Sequence, residues 1–275
     1  MKRSFLKELP YYVLLAIVLL WSFFPILYIV VGSFKMPMDI WSYPPKFTGP
    51  YSFFNYQLLA KEWGEYFVHL KNSLIITIFT GLLTLFASVS AAFAFSRFKA
   101  KFMKVPAFFL IVVRMLPPIV ITIPMFPILN ALGLIDRYIT LIVLYSAFLV
   151  SLTTWIMKSF IDDIPVELEQ AATLDGCSAF GAFFRITFPL AAPGFITVVI
   201  FAAIFAWNEF LYALIFTSWK VRTAPITIAE FTGAIMGVDW GALLAASVIH
   251  LVPMLILLWA IQKHMVRGMQ VGAIK

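Results

Sequence analysis

The stretch Ser159-Phe-Ile-Asp-Asp-Ile-Pro-Val-Glu-Leu-Glu-Gln-Ala-Ala-Thr-Leu-Asp-Gly-Cys-Ser-Ala-Phe-Gly-Ala-Phe-Phe-Arg-Ile-Thr-Phe-Pro-Leu-Ala-Ala-Pro193 separates two long apolar runs. Its charges and prolines make it unfit for the interior of a bilayer, yet it is patterned like folded protein. Asp162 or Asp163 can cap a helix that begins at Pro165; Glu167 and Glu169 suit its positive end, and Gly176 is placed to stop it. The spacing predicts a short helix over residues 165–174, with Leu168, Ala171, Ala172 and Leu174 forming a small-residue stripe fitted to another surface. Ser178 can cap a second short helix whose Phe180, Phe183, Phe184 and Ile186 are too apolar to face water, and Pro189 is expected to end it. A loop over residues 159–190 built in this way is folded and made to touch something.

On both sides of the loop the chain is written for lipid. Of its 275 residues, 63% are hydrophobic and only 12% charged, which excludes an ordinary cytosolic enzyme and a disordered chain. Six apolar runs are long enough to cross a bilayer: residues 11–32, 73–95, 105–130, 138–157, 193–217 and 242–261. The expected fold is all-α, a polytopic membrane protein with six transmembrane helices in one domain over residues 1–275. The first run is too long for a signal peptide, and no small-residue cleavage site follows it, so it reads as an uncleaved span. Six spans put both termini on one side. Twelve lysines and arginines fall on that side and seven on the other, with Arg97, Lys99, Lys101 and Lys104 tightly clustered. The positive-inside rule then places both termini in the cytoplasm, with the chain in the plasma or inner membrane of a prokaryote. The net charge of +7 is read as topogenic charge beside anionic membrane lipid, with no nucleic-acid partner.

No residue pattern points to chemistry within the chain. Cys177 is the only cysteine, and His69, His250 and His264 lie far apart, so no zinc-site spacing exists. A GxxxxGK[ST] phosphate loop is absent, so any nucleotide must be bound by a partner. The polar residues within the spans are therefore the candidates for a path. Arg114, Asn208 and Glu209 are costly in lipid unless they face a cavity or a partner. Counted along straight helices, Arg114 lies about 13 Å and Glu209 about 25 Å from the cytoplasmic side, too far apart to pair. Trp207 joins them as an aromatic face suited to a sugar. These four either line a translocation path or form a hydrogen-bonding cluster between helices. Pro117, Pro118, Pro124 and Pro127 crowd the third span and are expected to kink it; Pro118 and Pro124 are path candidates on that ground. The outer loop over residues 34–72 carries Trp41, Tyr43, Tyr51, Phe53, Phe54 and Trp63, either a docking surface or an aromatic belt at the headgroups. Gly233, Gly237 and Gly241 keep GxxxG spacing but are assigned to turns.

The run Gln170-Ala-Ala-Thr-Leu-Asp175-Gly176, with Phe184, Pro189 and Pro193 behind it, resembles the EAA loop of the membrane-spanning subunits of binding-protein-dependent ABC importers. Arg114-Met-Leu-Pro-Pro118, Ile123-Pro124, Trp207-Asn-Glu-Phe210 and Gly268-Met-Gln-Val-Gly-Ala-Ile-Lys275 narrow the likeness to the second permease subunit of carbohydrate importers of the maltose-transporter type. The resemblance implies a type I importer permease fold, a second, different permease subunit, two cytoplasmic ATPase subunits that bind ATP and Mg, and an extracytoplasmic sugar-binding protein. This chain itself would bind no cofactor and no metal. The resemblance makes the loop a coupling helix seated on the ATPase, with Glu167, Glu169, Gln170, Ala171, Ala172, Asp175, Gly176, Phe183, Phe184 and Pro189 as docking residues. It also carries the tail over residues 262–275, with Gly268, Gln270 and Gly272, toward the ATPase interface, unless the tail is only a frayed positive end. One position departs from the pattern, since Gln170 stands where the family usually has glutamate. A glutamine hydrogen-bonds a basic partner more weakly than a carboxylate does. An ion-coupled secondary transporter is the alternative, but no convincing internal repeat is present, and an intramembrane enzyme lacks its catalytic residues.

Overall fold

The computed structural model describes the backbone of residues 5–44, 48–98, 100–233 and 237–272, and side chains within these ranges from residue 9 to residue 262. Every regular element among the described residues is helical. Four helices are long and apolar enough to cross a bilayer unbroken, and six crossings result when each of two bent pairs makes one span. Helix α1 (Phe5–Ser33) and helix α14 (Trp240–Gly272) match the expected first and last spans. Helix α4 (Glu65–Arg97) starts eight residues before the expected boundary. The apolar run is interrupted there by Glu65, His69, Lys71 and Asn72, which hide a helix from a hydropathy reading. Helix α7 (Tyr138–Asp162) likewise extends five residues beyond its apolar run.

The third span is two helices, α5 (Lys104–Arg114) and α6 (Pro118–Ala131), after a single 3-10 turn at Lys101–Met103. They meet at 99°. Pro117 and Pro118 account for the break, because a residue before proline is pushed out of the helical region and Pro117 has the extended ψ of 133°. Pro124 and Pro127, expected to add kinks, lie within α6 without ending it. The break falls after Arg114, so the helix that leads to Arg114 is unbroken, as the straight-helix count assumed. The fifth span is α11 (Ala192–Asn208), interrupted at Glu209 and Phe210 before the short α12 (Leu211–Phe216).

The chain groups into two compact units. The first comprises the described parts of Met1–Val68 and Thr227–Pro253. Around α2 (Pro37–Ile40) and α3 (Phe54–Glu62), the Asn55 amide donates to the Ser33 carbonyl at 2.9 Å and the Lys35 carbonyl at 2.7 Å. Gly241 lies in the first turn of α14 rather than in a connection. A side chain there would come within 2.6 Å of Asn55 Oδ1, so the glycine is required by close approach. Tyr66 donates to the Ala246 carbonyl at 2.8 Å, and Trp63 packs edge-on against Phe231. Along α1, residues 9–28 are exposed on the chain by itself.

The second unit comprises His69–Ile226 and the described part of Met254–Lys275. Its packing centres on α7 against α11, where Gly194 admits Phe160; an added Cβ would meet that ring at 2.9 Å. One core gathers Ile76, Leu141, Tyr145, Ala213 and Phe216; another, nearer the loop, gathers Val89, Ala92, Met157, Ile161 and Val198. The end of the unit away from the loop is pinned by two polar clasps. Asp136 accepts the backbone N–H groups of Ser218, Trp219, Lys220 and Val221 at 3.0–3.3 Å. Asn72 donates to the carbonyls of Lys220 and Arg222 and accepts from Tyr138 at 2.6 Å.

Candidate functional site

The loop after α7 folds as expected in outline and differently in detail. Helix α8 spans Val166–Leu174, with Pro165 at its N-cap and no side-chain cap. Asp162 is engaged elsewhere, with Lys158 one turn back and with Ser96 at 2.6 Å. At the other end, Gly176 has a φ of +90°. The Cys177 N–H reaches the Ala172 carbonyl and the Gly176 N–H reaches the Thr173 carbonyl, both at 3.0 Å. This is a Schellman closure, which satisfies the last carbonyls of the helix and fixes the exit of the chain.

The docking candidates divide by exposure. Glu167, Gln170, Ala171, Leu174 and Asp175 are exposed, Leu174 almost completely, whereas Ala172 is buried. The expected stripe of Leu168, Ala171, Ala172 and Leu174 is thus not one face: Ala172 turns inward and the other three outward. Glu169 also turns inward. It pairs with Arg97 at the end of α4, Nε and the second guanidinium nitrogen lying 2.9 and 2.8 Å from the same carboxylate oxygen. Thr187 donates to that oxygen at 2.6 Å. The Arg97 guanidinium further donates to the Ile164 carbonyl at 3.0 Å and to Ser96 at 2.9 Å. A topogenic reading counts Arg97 as one positive charge among several, and no spacing in the sequence links it to a loop about 70 residues away.

The second helix is a continuous run, Ala179–Leu190, bent by 71° from α11. It comprises α9 (Ala179–Ala182), a wider π-type turn at Phe183–Thr187 and α10 (Phe188–Leu190). Ser178 caps it as expected, accepting the Gly181 N–H at 3.1 Å. Pro189 does not end it. The run passes through the proline, directly behind the wider turn, and stops one residue later at Leu190. The phenylalanines form a ladder: Phe183 packs on Phe93 of α4 at 4.8 Å, Phe184 lies 4.9 Å from Phe183, and Phe180 lies 4.7 Å from Phe184. Phe183 is half-buried, while Phe180, Phe184 and Phe188 remain exposed on the chain alone.

The path candidates fall on the two broken spans. Arg114 is the last residue of α5, with its guanidinium carbon 5.9 Å from the centre of the Phe148 ring. Phe148 stacks on Phe205 of α11 at 5.1 Å, so an aromatic row joins Arg114 to the helix that bears Asn208 and Glu209. Pro118 opens α6, and Pro124 is exposed on it. Trp207 is buried within the bundle. Asn208 is exposed, with its amide returned to the Ile204 carbonyl at 2.8 Å. Glu209 is buried and caps α12, its two oxygens accepting the N–H groups of Tyr212 and Ala213 at 2.9 and 3.2 Å. The carboxylate thus satisfies the first N–H groups of α12 at the break in the span. The tail candidates Gly268, Gln270 and Gly272 sit on a stretch whose backbone continues α14, but their side chains lie outside the described residues.

A family model described as "binding-protein-dependent transport system inner membrane component" matches residues 84–271, which include α5 to α12 and the whole loop. The chain belongs to this family. Relatives agree across the full length. The chain is 36% identical to a probable ABC transporter permease protein, YurM, of Bacillus subtilis, with 100% of this chain and 91% of that protein covered. It is 34% identical to the trehalose/maltose transport system permease protein MalG of Thermococcus litoralis, with 96% and 94% covered. The fold matches a subunit in the crystal structure of a bacterial ABC transporter involved in the import of the acidic polysaccharide alginate. The TM-score there is 0.77 at 22% identity, covering 96% of this chain and 98% of that one. The protein is therefore an inner-membrane transport permease with the ABC importer permease fold.

Proposed function

We propose that this permease is one half of the translocation path of an ATP-driven importer for a sugar or sugar-like molecule. A second, different permease subunit completes the path, two cytoplasmic ATPase subunits bind ATP and Mg, and an extracytoplasmic binding protein delivers the cargo. Both termini and the loop over residues 159–190 face the cytoplasm. The observation that carries the reading is α8: a short helix closed by a Schellman turn, anchored inward through Glu169, and presenting Glu167, Gln170, Ala171 and Leu174 outward. Phe180 and Phe184 extend that surface. Such a rigid projection transmits a rigid-body displacement, and any difference in contact energy between two states of the ATPase pair becomes work on the spans. Gln170, without charge, would meet its partner through neutral hydrogen bonds. Along the path, Arg114, Asn208 and the Pro117–Pro118 break are the groups free to meet cargo, while Trp207 and Glu209 shape the wall behind them. The carbohydrate cargo is supported by the trehalose/maltose relative.

Purification of the tagged chain from its native membrane in mild detergent tests the reading. Recovery of a second permease and a nucleotide-binding subunit is the expected result. A transport-competent chain recovered alone or as a homodimer would overturn it in favour of ion-coupled transport.

A further inference from the structure

Helix α8 is covalently continuous with α7 through residues 163–165 and with α11 through the Ala179–Leu190 run. Peptide bonds give it no route to α4. The side chains supply one. Arg97, the last residue of α4, places a planar guanidinium between the Glu169 carboxylate and the Ile164 carbonyl, with side chains only 10% and 14% exposed across the ion pair. Two nitrogens of one rigid group meet one oxygen, and Thr187 of the π-type turn closes on that oxygen from the other side of the loop. Ser96, adjacent on α4, reaches Asp162 at the end of α7. One turn further back on α4, Phe93 packs against Phe183.

We propose that Arg97 is a positioning residue for coupling: it latches the end of α4 to α8, so that displacement of α8 is delivered to α4 directly as well as to α7 and α11. The inference rests on the functional reading above. A guanidinium suits the task because its donors are fixed in one plane and it cannot lose its charge. An ammonium can keep the charge but not the fork. Sparse exposure keeps water from competing for the carboxylate, so the pair holds its geometry while the loop is loaded. The coupling helix therefore has three mechanical attachments, and the latched one reaches the helix that carries the chain from residue 97 back to residue 65.

The test uses the whole importer, copurified and reconstituted in proteoliposomes with its binding protein, carrying Arg97→Gln, Arg97→Lys or Glu169→Gln in this subunit. The readout is cargo molecules transported per ATP hydrolysed, a ratio that a simple loss of folded complex does not move. The latch predicts normal recovery of ATPase subunits and a ratio lowered about fivefold or more by Arg97→Gln and by Glu169→Gln. Arg97→Lys should restore part of the loss. The double variant Arg97→Gln/Glu169→Gln should be no worse than Arg97→Gln, because both remove one link. A wild-type ratio in both single variants overturns the latch, and so does a fall in transport and hydrolysis together that only tracks lost subunits. If the unaltered complex contains no ATPase, the functional reading itself fails and the inference falls with it.

Discussion

Replacement of Gly176 separates backbone strain from surface contact at the end of α8. The residue has a φ of +90°, and a Cβ built on it meets nothing within 4 Å. The structure thus predicts that the cost of a side chain here is conformational and not steric. For an L-residue other than asparagine or glycine, left-handed backbone costs about 1–2 kcal/mol, and a β-branched side chain costs more. The penalty opposes the two Schellman hydrogen bonds from Gly176 and Cys177 that close the helix. If docking requires the closed end, Gly176→Ala weakens binding of the ATPase by up to about 5- to 30-fold, taking 1.4 kcal/mol per tenfold. Gly176→Asn, which tolerates the left-handed region, loses only a few-fold, and Gly176→Val loses the most. The assay is titration of the purified ATPase onto the permease pair in nanodiscs, with insertion of each variant checked by membrane recovery. Transport should follow the same order. Equal losses in the asparagine and valine variants would refute the reasoning, since they would mean that the partner needs bare backbone at this point. Unchanged binding in all three would remove the closed helix end from docking altogether.

Three further outcomes follow from the packing. Gly194→Ala forces a methyl group against Phe160 and the Met157 terminus and should destabilise the α7–α11 contact by about 1–3 kcal/mol, read as a lowered thermal midpoint of the detergent-solubilised complex. Glu209→Ala leaves the Tyr212 and Ala213 amides without their acceptor and should cost about 1–3 kcal/mol in the same measurement, with Glu209→Gln much closer to wild type; a shift in the cargo dependence of uptake without loss of assembly would assign Glu209 to the path as well. Burial raises the Asp136 pKa, but four backbone amides outweigh it and hold the carboxyl below its ordinary value. Its contribution to stability is therefore fully present above the ordinary carboxylate pKa and is lost as pH falls through the depressed folded value. Hydrogen exchange at the amides of residues 218–221, corrected for intrinsic rate, should stay slow through mildly acid pH and speed up only below the usual carboxylate range. Asp136→Asn should speed it at neutral pH and remove the pH dependence, converging with the unaltered protein once Asp136 is protonated.

Composition and periodicity were sufficient for a membrane protein of helices, because an apolar run of about 20 residues has one stable form in lipid. They were also sufficient for the capped second helix at Ser178, the stop at Gly176 and the break near Pro117–Pro118. Each of these depends on the backbone preferences of one or two neighbouring residues. The start of α4 at Glu65 and the interruption at Glu209 were not legible. At the first, Asn72 is satisfied by Lys220, Arg222 and Tyr138, partners that only folding brings near; at the second, Glu209 caps the helix that follows it, a local cap hidden inside an apolar run.

The sequence by itself determined which segments enter the membrane and where the loop folds, since hydrophobic length and capping act over a few residues. Tertiary structure alone decided which way the loop's side chains face. Glu167 and Glu169 carry the same carboxylate two positions apart, and nothing local distinguishes the one that pairs with Arg97 from the one left outward. A long-range ion pair is selected by the position of a distant helix end, and that position is fixed only when the cores around Tyr145 and Met157 have packed.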